Sequence, residues 1–285
     1  MTQARPSPPP DSVARNRQHV EREYGTEKWP AVERLIEKRS IGEAPGGTTL
    51  ARVHRRVVRD YAYPGDPMAE RDVLIAGRRQ QMISSLAWGG QERLISDAVV
   101  DACTADTDLV IELGCGWGWH ILGARIAGAP RDALYVGAEF TEAGRRAAER
   151  IAALDPELRF EALAFDYNDP SSLASLGSFR DAVVFSVHSI EQIPRLSPQV
   201  PRAIAALAES VRCLHFEPVG WQVSEGNELG SSRAYAEHHD YSRDLLDVLR
   251  AEQDAGGLRI DAIECDLIGL NPNNTSTLVR WSAPA

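Results

Sequence analysis

The rhythm of apolar positions changes along the chain. From Asp11 to Lys38 the sequence is polar with sparse apolar positions, among them Val20, Tyr24, Trp29, Val32, Leu35 and Ile36, and the helical spacing of the last four predicts one or two short amphipathic helices. Residues 42–49, GEAPGGTT, read as a loop from their glycine and proline content. Between Pro67 and Ala102, the apolar residues Met68, Val73, Leu74, Ile75, Met82, Ile83, Leu86, Leu94, Ile95, Val99 and Val100 recur on helical faces. Gly89-Gly90 interrupts them, so two helices are expected. Further on, short apolar runs alternate with helical stretches, the pattern of a mostly parallel sheet covered by helices.

Strands are expected at Leu109–Leu113, Ala133–Ala138, Leu158–Ala164, Asp181–Val187, Cys213–Pro218, Leu258–Ile268 and Thr275–Ser282. Helices are expected between them, at Trp119–Ala127, Glu142–Leu154, Pro170–Leu176, Pro201–Ser210 and Tyr241–Asp254. The last two strands are joined only by GLNPNN, and a parallel crossover needs a dozen or more residues, so that pair is antiparallel. The expected fold class is α/β: a doubly wound, seven-stranded, mostly parallel sheet with an antiparallel last strand, plus an N-terminal helical extension. Residues 1–11 are proline-rich with little to bury and read as a disordered leader. Residues 12–90 would form the helical extension or lid, and 91–285 the core.

Composition narrows the function classes. The chain has 285 residues, 43% hydrophobic and 25% charged, enough for one sizeable core and a smaller appended unit. A net charge of -10 argues against broad nucleic-acid binding, which needs a basic face to replace phosphate counterions. Cys103, Cys115, Cys213 and Cys265 lie far apart without a CxxC pair, which suits a reducing compartment. No apolar run is long enough for a bilayer, and the N-terminus lacks a signal peptide's apolar centre, so a cytoplasmic protein without a membrane partner is expected. A homodimer is compatible with all of this.

The candidate chemistry begins at Leu109–His120, LVIELGCGWGWH. An apolar run ending in an acid and then Gly114, Gly116 and Gly118 is a buried strand passing into a turn that can approach a ligand closely. A dinucleotide-binding GxGxxG would place its third glycine at position 119, which is Trp119. The ExGxGxG string, the order of elements and the terminal antiparallel pair together resemble the class I S-adenosylmethionine-dependent methyltransferases, over about residues 92–285. The resemblance implies S-adenosylmethionine as cofactor, bound by Glu112, Gly114, Cys115, Gly116, Trp117, Gly118, Glu139, Phe140, Asp166, Tyr167 and Val187. In it, Glu139 holds the ribose, Phe140 lies against the adenine, and Asp166 accepts from the adenine amino group with Tyr167 beside it. The alternatives are that Glu139 is the N-terminal charge of the next helix and Asp166 a turn or cap residue. Glu112 would meet the cofactor's amino-acid end or orient the glycine loop.

The fourth of the expected strands ends in FSVHSIEQIP, where ligands of such sheets bind. His188 is the leading candidate base, since an ordinary imidazole titrates near neutrality, and Glu191 the second. The alternative for His188 is a capping or cofactor contact without proton transfer. A metal held by His188, Glu217 and one of His238, His239 or Asp240 can be drawn but has no diagnostic spacing, so none is expected. Glu217, Trp221, Gln222 and Tyr235 would line a substrate pocket suited to a cationic or amine-bearing group; alternatively Glu217 pairs with an internal arginine and Trp221 packs. Arg52, Arg55, Arg56 and Arg59 form either a solvated face or an anchor for an acidic group. The expected activity is methyl transfer in small-molecule biosynthesis, to a polar molecule, amine-bearing ones included. The alternatives are methylation of a peptide or protein side chain, or a non-catalytic cofactor-binding protein whose extension is an interaction surface.

Overall fold

The computed structural model describes residues 10–62, 65–223 and 230–283. Strands β1 (Glu70–Ile75) and β2 (Arg78–Ile83) come first, followed by β3 (Leu109–Leu113), β4 (Leu134–Glu139), β5 (Phe160–Ala164), β6 (Phe179–Val187), β7 (Ala208–Glu217), β8 (Arg259–Gly269) and β9 (Ser276–Ala283). They form one sheet in the order β2-β1-β8-β9-β7-β6-β3-β4-β5. The pairs from β5 across to β7 are parallel, while β9 runs antiparallel to both β7 and β8. The seven strands expected from periodicity are all present, with ends moved by a few residues.

The other two strands correct the helical reading of residues 67–83. Val73–Ile75 is a short apolar run that fits either period. What decides it is Ala76-Gly77, where φ values of 48° and 73° make a two-residue turn matched to strand twist. The resulting hairpin is held by β8, with Leu74 opposite Gly269 and Ile75 opposite Ile268. Among the described residues the sheet therefore has nine strands, and residues 70–83 belong to it. The expected break at Gly89-Gly90 is also absent, for one helix, α4 (Ser84–Ala102), runs through both glycines.

The remaining N-terminal elements are helical: α1 (Pro10–Val20), a π-helical stretch (Glu21–Lys28), α2 (Trp29–Ser40) and α3 (Gly47–Ala62). Residues 1–9 of the expected leader lie outside the described residues, and Pro10 and Asp11 already belong to α1. The core helices are α5 (Trp119–Ala127), α6 (Glu142–Ala152), α7 (Gln199–Ala205), α8 (Gly230–His238) and α9 (Leu245–Asp254).

Strand β3 is buried along its whole length, and its side chains alternate between two cores. Val110 packs with Val32, Ile36, Val53, Val57, Ile95 and Ile121 from the N-terminal helices and α5. Leu109, Ile111 and Leu113 pack on the other face with Ile204 of α7 and Leu245 and Leu249 of α9. Each fully buried aliphatic side chain contributes roughly 1.5–3 kcal/mol. The N-terminal helices are thus part of the main core, and among the described residues no helix is long and apolar enough to cross a membrane. Between β4 and β6, at the carboxyl end of β3, the sheet opens a crevice.

Candidate active site

The glycine turn after β3 is left-handed at each of its glycines, with φ of 73°, 54° and 85° at Gly114, Gly116 and Gly118. Close packing adds to that need. A Cβ on Gly114 would stand 2.3 Å from Cβ of Ser189, and one on Gly116 would stand 2.6 Å from Cζ2 of Trp29. Gly118 instead faces Leu122 and caps α5. Glu112 is buried and accepts from the Ile121 amide at 2.8 Å, so it orients the helix after the turn; burial holds its carboxyl well above the usual range.

Glu139, at the tip of β4, accepts from the amides of Gly116 and Thr141, both at 3.0 Å, and from the Thr141 hydroxyl at 2.6 Å. An ionised carboxylate offers about four lone-pair sites, so one remains for a ligand. Burial raises its pKa against those bonds. Thr141 itself caps α6 by accepting from Gly144. Asp166 accepts from the Asn168 amide at 2.8 Å in a side-chain turn and also pairs with Arg17, whose Nε lies 2.6 Å away. The local roles considered as alternatives, Glu139 at the start of α6 and Asp166 in a turn, are thus both present, and neither uses every acceptor site of its carboxylate. The Tyr167 hydroxyl donates to the Leu113 carbonyl at 2.9 Å and meets Ser189 Oγ at 2.7 Å, tying β3 to the loop after β6.

These groups border a cleft of about 930 Å³, part of it open to solvent. Of the expected cofactor residues, Glu112, Gly114, Cys115, Gly116, Trp117, Glu139, Phe140, Asp166, Tyr167 and Val187 line it, and Gly118 does not. The sequence reading had no means of finding Asn16, Arg17, Val20, Tyr24 and Trp29, which line it from the other side. Asn16 donates to the Gln192 carbonyl at 2.5 Å, so α1 lies across the mouth, joined to both the Asp166 turn and the loop after β6.

His188 has a left-handed φ of 48° and both ring nitrogens engaged. Nδ1 lies 2.9 Å from a Glu191 carboxylate oxygen and Nε2 2.7 Å from Ser276 Oγ. Burial works to lower its pKa, but Glu191 and, more weakly, Glu217 outweigh it, and the net direction is up. His188, the leading candidate base, is thus paired with Glu191, the second candidate, and that pairing favours its protonated form. Glu191 does not line the cleft.

The expectation for Glu217 is corrected. It is buried beneath the same loop, accepting from the amides of Ser189, Ile190 and Glu191 at 3.2, 3.1 and 3.1 Å and from Ser186 Oγ at 2.8 Å. Behind it the Trp281 indole donates to Nε2 of His215 at 3.0 Å, which leaves Nδ1 to donate to Ser186. Burial keeps His215 neutral, with a pKa lowered to about 3, and pushes Glu217 up to about 7. Glu217 thus builds the turn that carries His188 and has no face toward a substrate.

Trp221, Gln222 and Tyr235 also fall outside the cleft lining. Gln222 donates to the Ser242 carbonyl and accepts from the Leu246 amide, fastening the start of α9. Tyr235 packs with His239 and Tyr241, and Trp221 lies under the Arg233 guanidinium. Residues 224–229 of the expected substrate loop lie outside the described residues. On α3, Arg52 and Arg56 pair with Glu43, and Arg59 with Asp60, all away from the cleft. Among the described residues no group of three or more His, Cys, Asp or Glu is placed to hold a metal.

No protein-family model matches the chain, and no curated protein matches it. Among solved structures it is similar to magnesium protoporphyrin IX methyltransferase from Synechocystis PCC 6803 with bound S-adenosylmethionine, at 13% identity over 95% of this chain and 97% of that one, with a TM-score of 0.46. It is also similar to a geranyl diphosphate methyltransferase in complex with geranyl diphosphate and sinefungin, at 14% identity, 98% and 99% coverage and a TM-score of 0.47. A third is ribosomal protein L11 methylase from Lactobacillus delbrueckii subsp. bulgaricus, at 14% identity, 68% and 79% coverage and 0.42. The fold assignment rests on the chain's own sheet, in which β3 sits between β4 and β6 and the antiparallel β9 is inserted between β7 and β8. The core has the class I methyltransferase fold. Within it the glycine turn, Glu139 and Asp166 occupy the tips of the three successive strands β3, β4 and β5.

Proposed function

We propose that the chain is an S-adenosylmethionine-dependent methyltransferase acting on a polar small molecule. The observation that carries this reading is the convergence of the left-handed glycine turn, Glu139 and Asp166 on one cleft. The residues present fit the cofactor. Glu139 keeps a lone-pair site for a ribose hydroxyl, Phe140 offers a ring for the adenine, and Asp166 an acceptor for its amino group. The indole N–H groups of Trp29 and Trp117, buried in the cleft walls with no partner, are donors in reserve. When bound, S-adenosylmethionine supplies a methyl group on a sulfonium. The chain's own part is to orient the acceptor, exclude water beneath α1, and take up a proton.

The amine preference rested on Glu217, and with that carboxylate turned inward it loses its support. A cytoplasmic location belongs to the same proposal and is supported by four cysteines that form no disulfide. Calorimetry with S-adenosylhomocysteine tests the shared premise. A hydrogen bond to a charged group is worth about 1.5–3 kcal/mol, so Glu139→Ala should weaken binding about tenfold or more. Equal binding by the variant and the parent would remove the ribose assignment, and no binding by either would remove the cofactor.

A further inference from the structure

With both ring nitrogens of His188 engaged by Glu191 and Ser276, a second imidazole in the cleft is the one open to receive a proton. His120, the last residue of LVIELGCGWGWH, lines the cleft with His188 nearby. Its ring stacks on Trp119, with centroids 5.0 Å apart and planes within 13°. Its nitrogens have no hydrogen-bond partner among the described residues, and the residue as a whole is half-buried. The supports behind it are fixed. His54 of α3 donates from Nε2 to the Trp119 carbonyl at 2.7 Å, and the Trp119 indole donates to Glu92 of α4 at 2.5 Å. Burial, then His188 and His54, hold the His120 pKa down to about 3, so the ring is neutral with a lone pair available.

The acids around the cleft are otherwise occupied. Glu112 is bonded to Ile121, Glu139 to Gly116 and Thr141, and Asp166 to Arg17 and Asn168, while Glu191 behind the lining is paired with His188. Each lining carboxylate already accepts from the chain, and the acceptor sites left on Glu139 and Asp166 are those assigned to the cofactor above. Trp119 stacks on His120, and Trp29, Tyr24 and Val20 add rings and an aliphatic side chain to the cleft lining, beside the polar Asn16, Arg17 and Gln192.

We propose that His120 is the catalytic acceptor of a hydroxyl borne on a ring-bearing small molecule, taking first its hydrogen bond and then its proton. This rests on the methyltransferase reading above and names the substrate class of that same site. As the acceptor oxygen bonds the methyl carbon, the carbon–sulfur bond breaks with its electron pair left on sulfur, and the hydroxyl proton passes to the His120 ring nitrogen and from there to solvent. A hydroxyl that has begun to bond carbon is far more acidic than a free alcohol, so a weak base suffices.

The test compares 2-naphthol with its methyl ether, 2-methoxynaphthalene, by calorimetry at pH 8 on the full chain. Affinity for S-adenosylhomocysteine is measured first, and it is kept saturating where it binds. One hydrogen bond of ordinary strength corresponds to about tenfold, so the wild type should prefer the naphthol by about that factor. His120→Ala should reduce the preference to less than about twofold, and His120→Gln, which retains an acceptor oxygen, should restore part of it. Equal affinities in the wild type, no binding of either compound, or a preference that survives His120→Ala would each overturn the assignment. Failure to bind S-adenosylhomocysteine would instead count against the cofactor, and the naphthol comparison run without it would still decide His120.

Discussion

Two side chains near the sheet edge divide structural from chemical work. Glu217→Gln replaces one carboxylate oxygen by a donor that faces backbone N–H groups, and a buried donor left without an acceptor costs about 1–3 kcal/mol. Urea unfolding should show a loss of that size, and an unchanged midpoint would return Glu217 to the list of substrate contacts. His188 makes a pH-dependent contribution. Its pKa is raised on folding from 6.5, so the stability it supplies is fully present below pH 6.5 and is lost as pH rises through the folded value. The stability gap between the parent and His188→Gln should therefore narrow from pH 6 to pH 9, and a widening gap would contradict the ion pair with Glu191. Both residues stood out in the sequence as functional, but only tertiary hydrogen bonding separates a residue that touches a substrate from one that shapes the loop beneath it.

At the scale of elements, α1 is the piece whose role the structure adds. Its hold on the core rests on Arg17–Asp166 and Asn16–Gln192, pairs 149 and 176 residues apart in sequence. Contacts at such separations leave no periodic signal, which is why the helix could be anticipated and its docking could not. An ion pair with Arg17 nearly half exposed holds about 0.2–1 kcal/mol. Arg17→Ala should accordingly speed release of S-adenosylhomocysteine, by at most about fivefold, in stopped-flow measurements of tryptophan fluorescence. An unaltered release rate would show that α1 does not gate the cleft. The hairpin of β1 and β2 was illegible for a different reason, since Ala-Gly is a weak turn signal and three consecutive apolar residues suit a helix equally well.

Over the whole molecule, legibility follows burial. The strands from β3 to β9 were readable because β3, β4 and most of β6 are apolar on both faces, and the link between β8 and β9 is too short for a crossover. The site was readable where it sits on strand tips, at Gly116, Glu139 and Asp166, and unreadable where it is made by distant segments meeting.

The added hairpin also bears on how the cleft exchanges its contents. Beyond α1, the N-terminal helices are fastened to the core by buried packing, by Glu33 of α2 pairing with Arg146 and Arg150 of α6, and by His54 of α3 on the Trp119 carbonyl, and the hairpin that follows is laced to β8. A cover pinned at its far end can open only at the near one. If α1 gates the crevice, the part that moves need be no longer than α1 and the π-helical stretch after it, since the segments beyond are packed into the core.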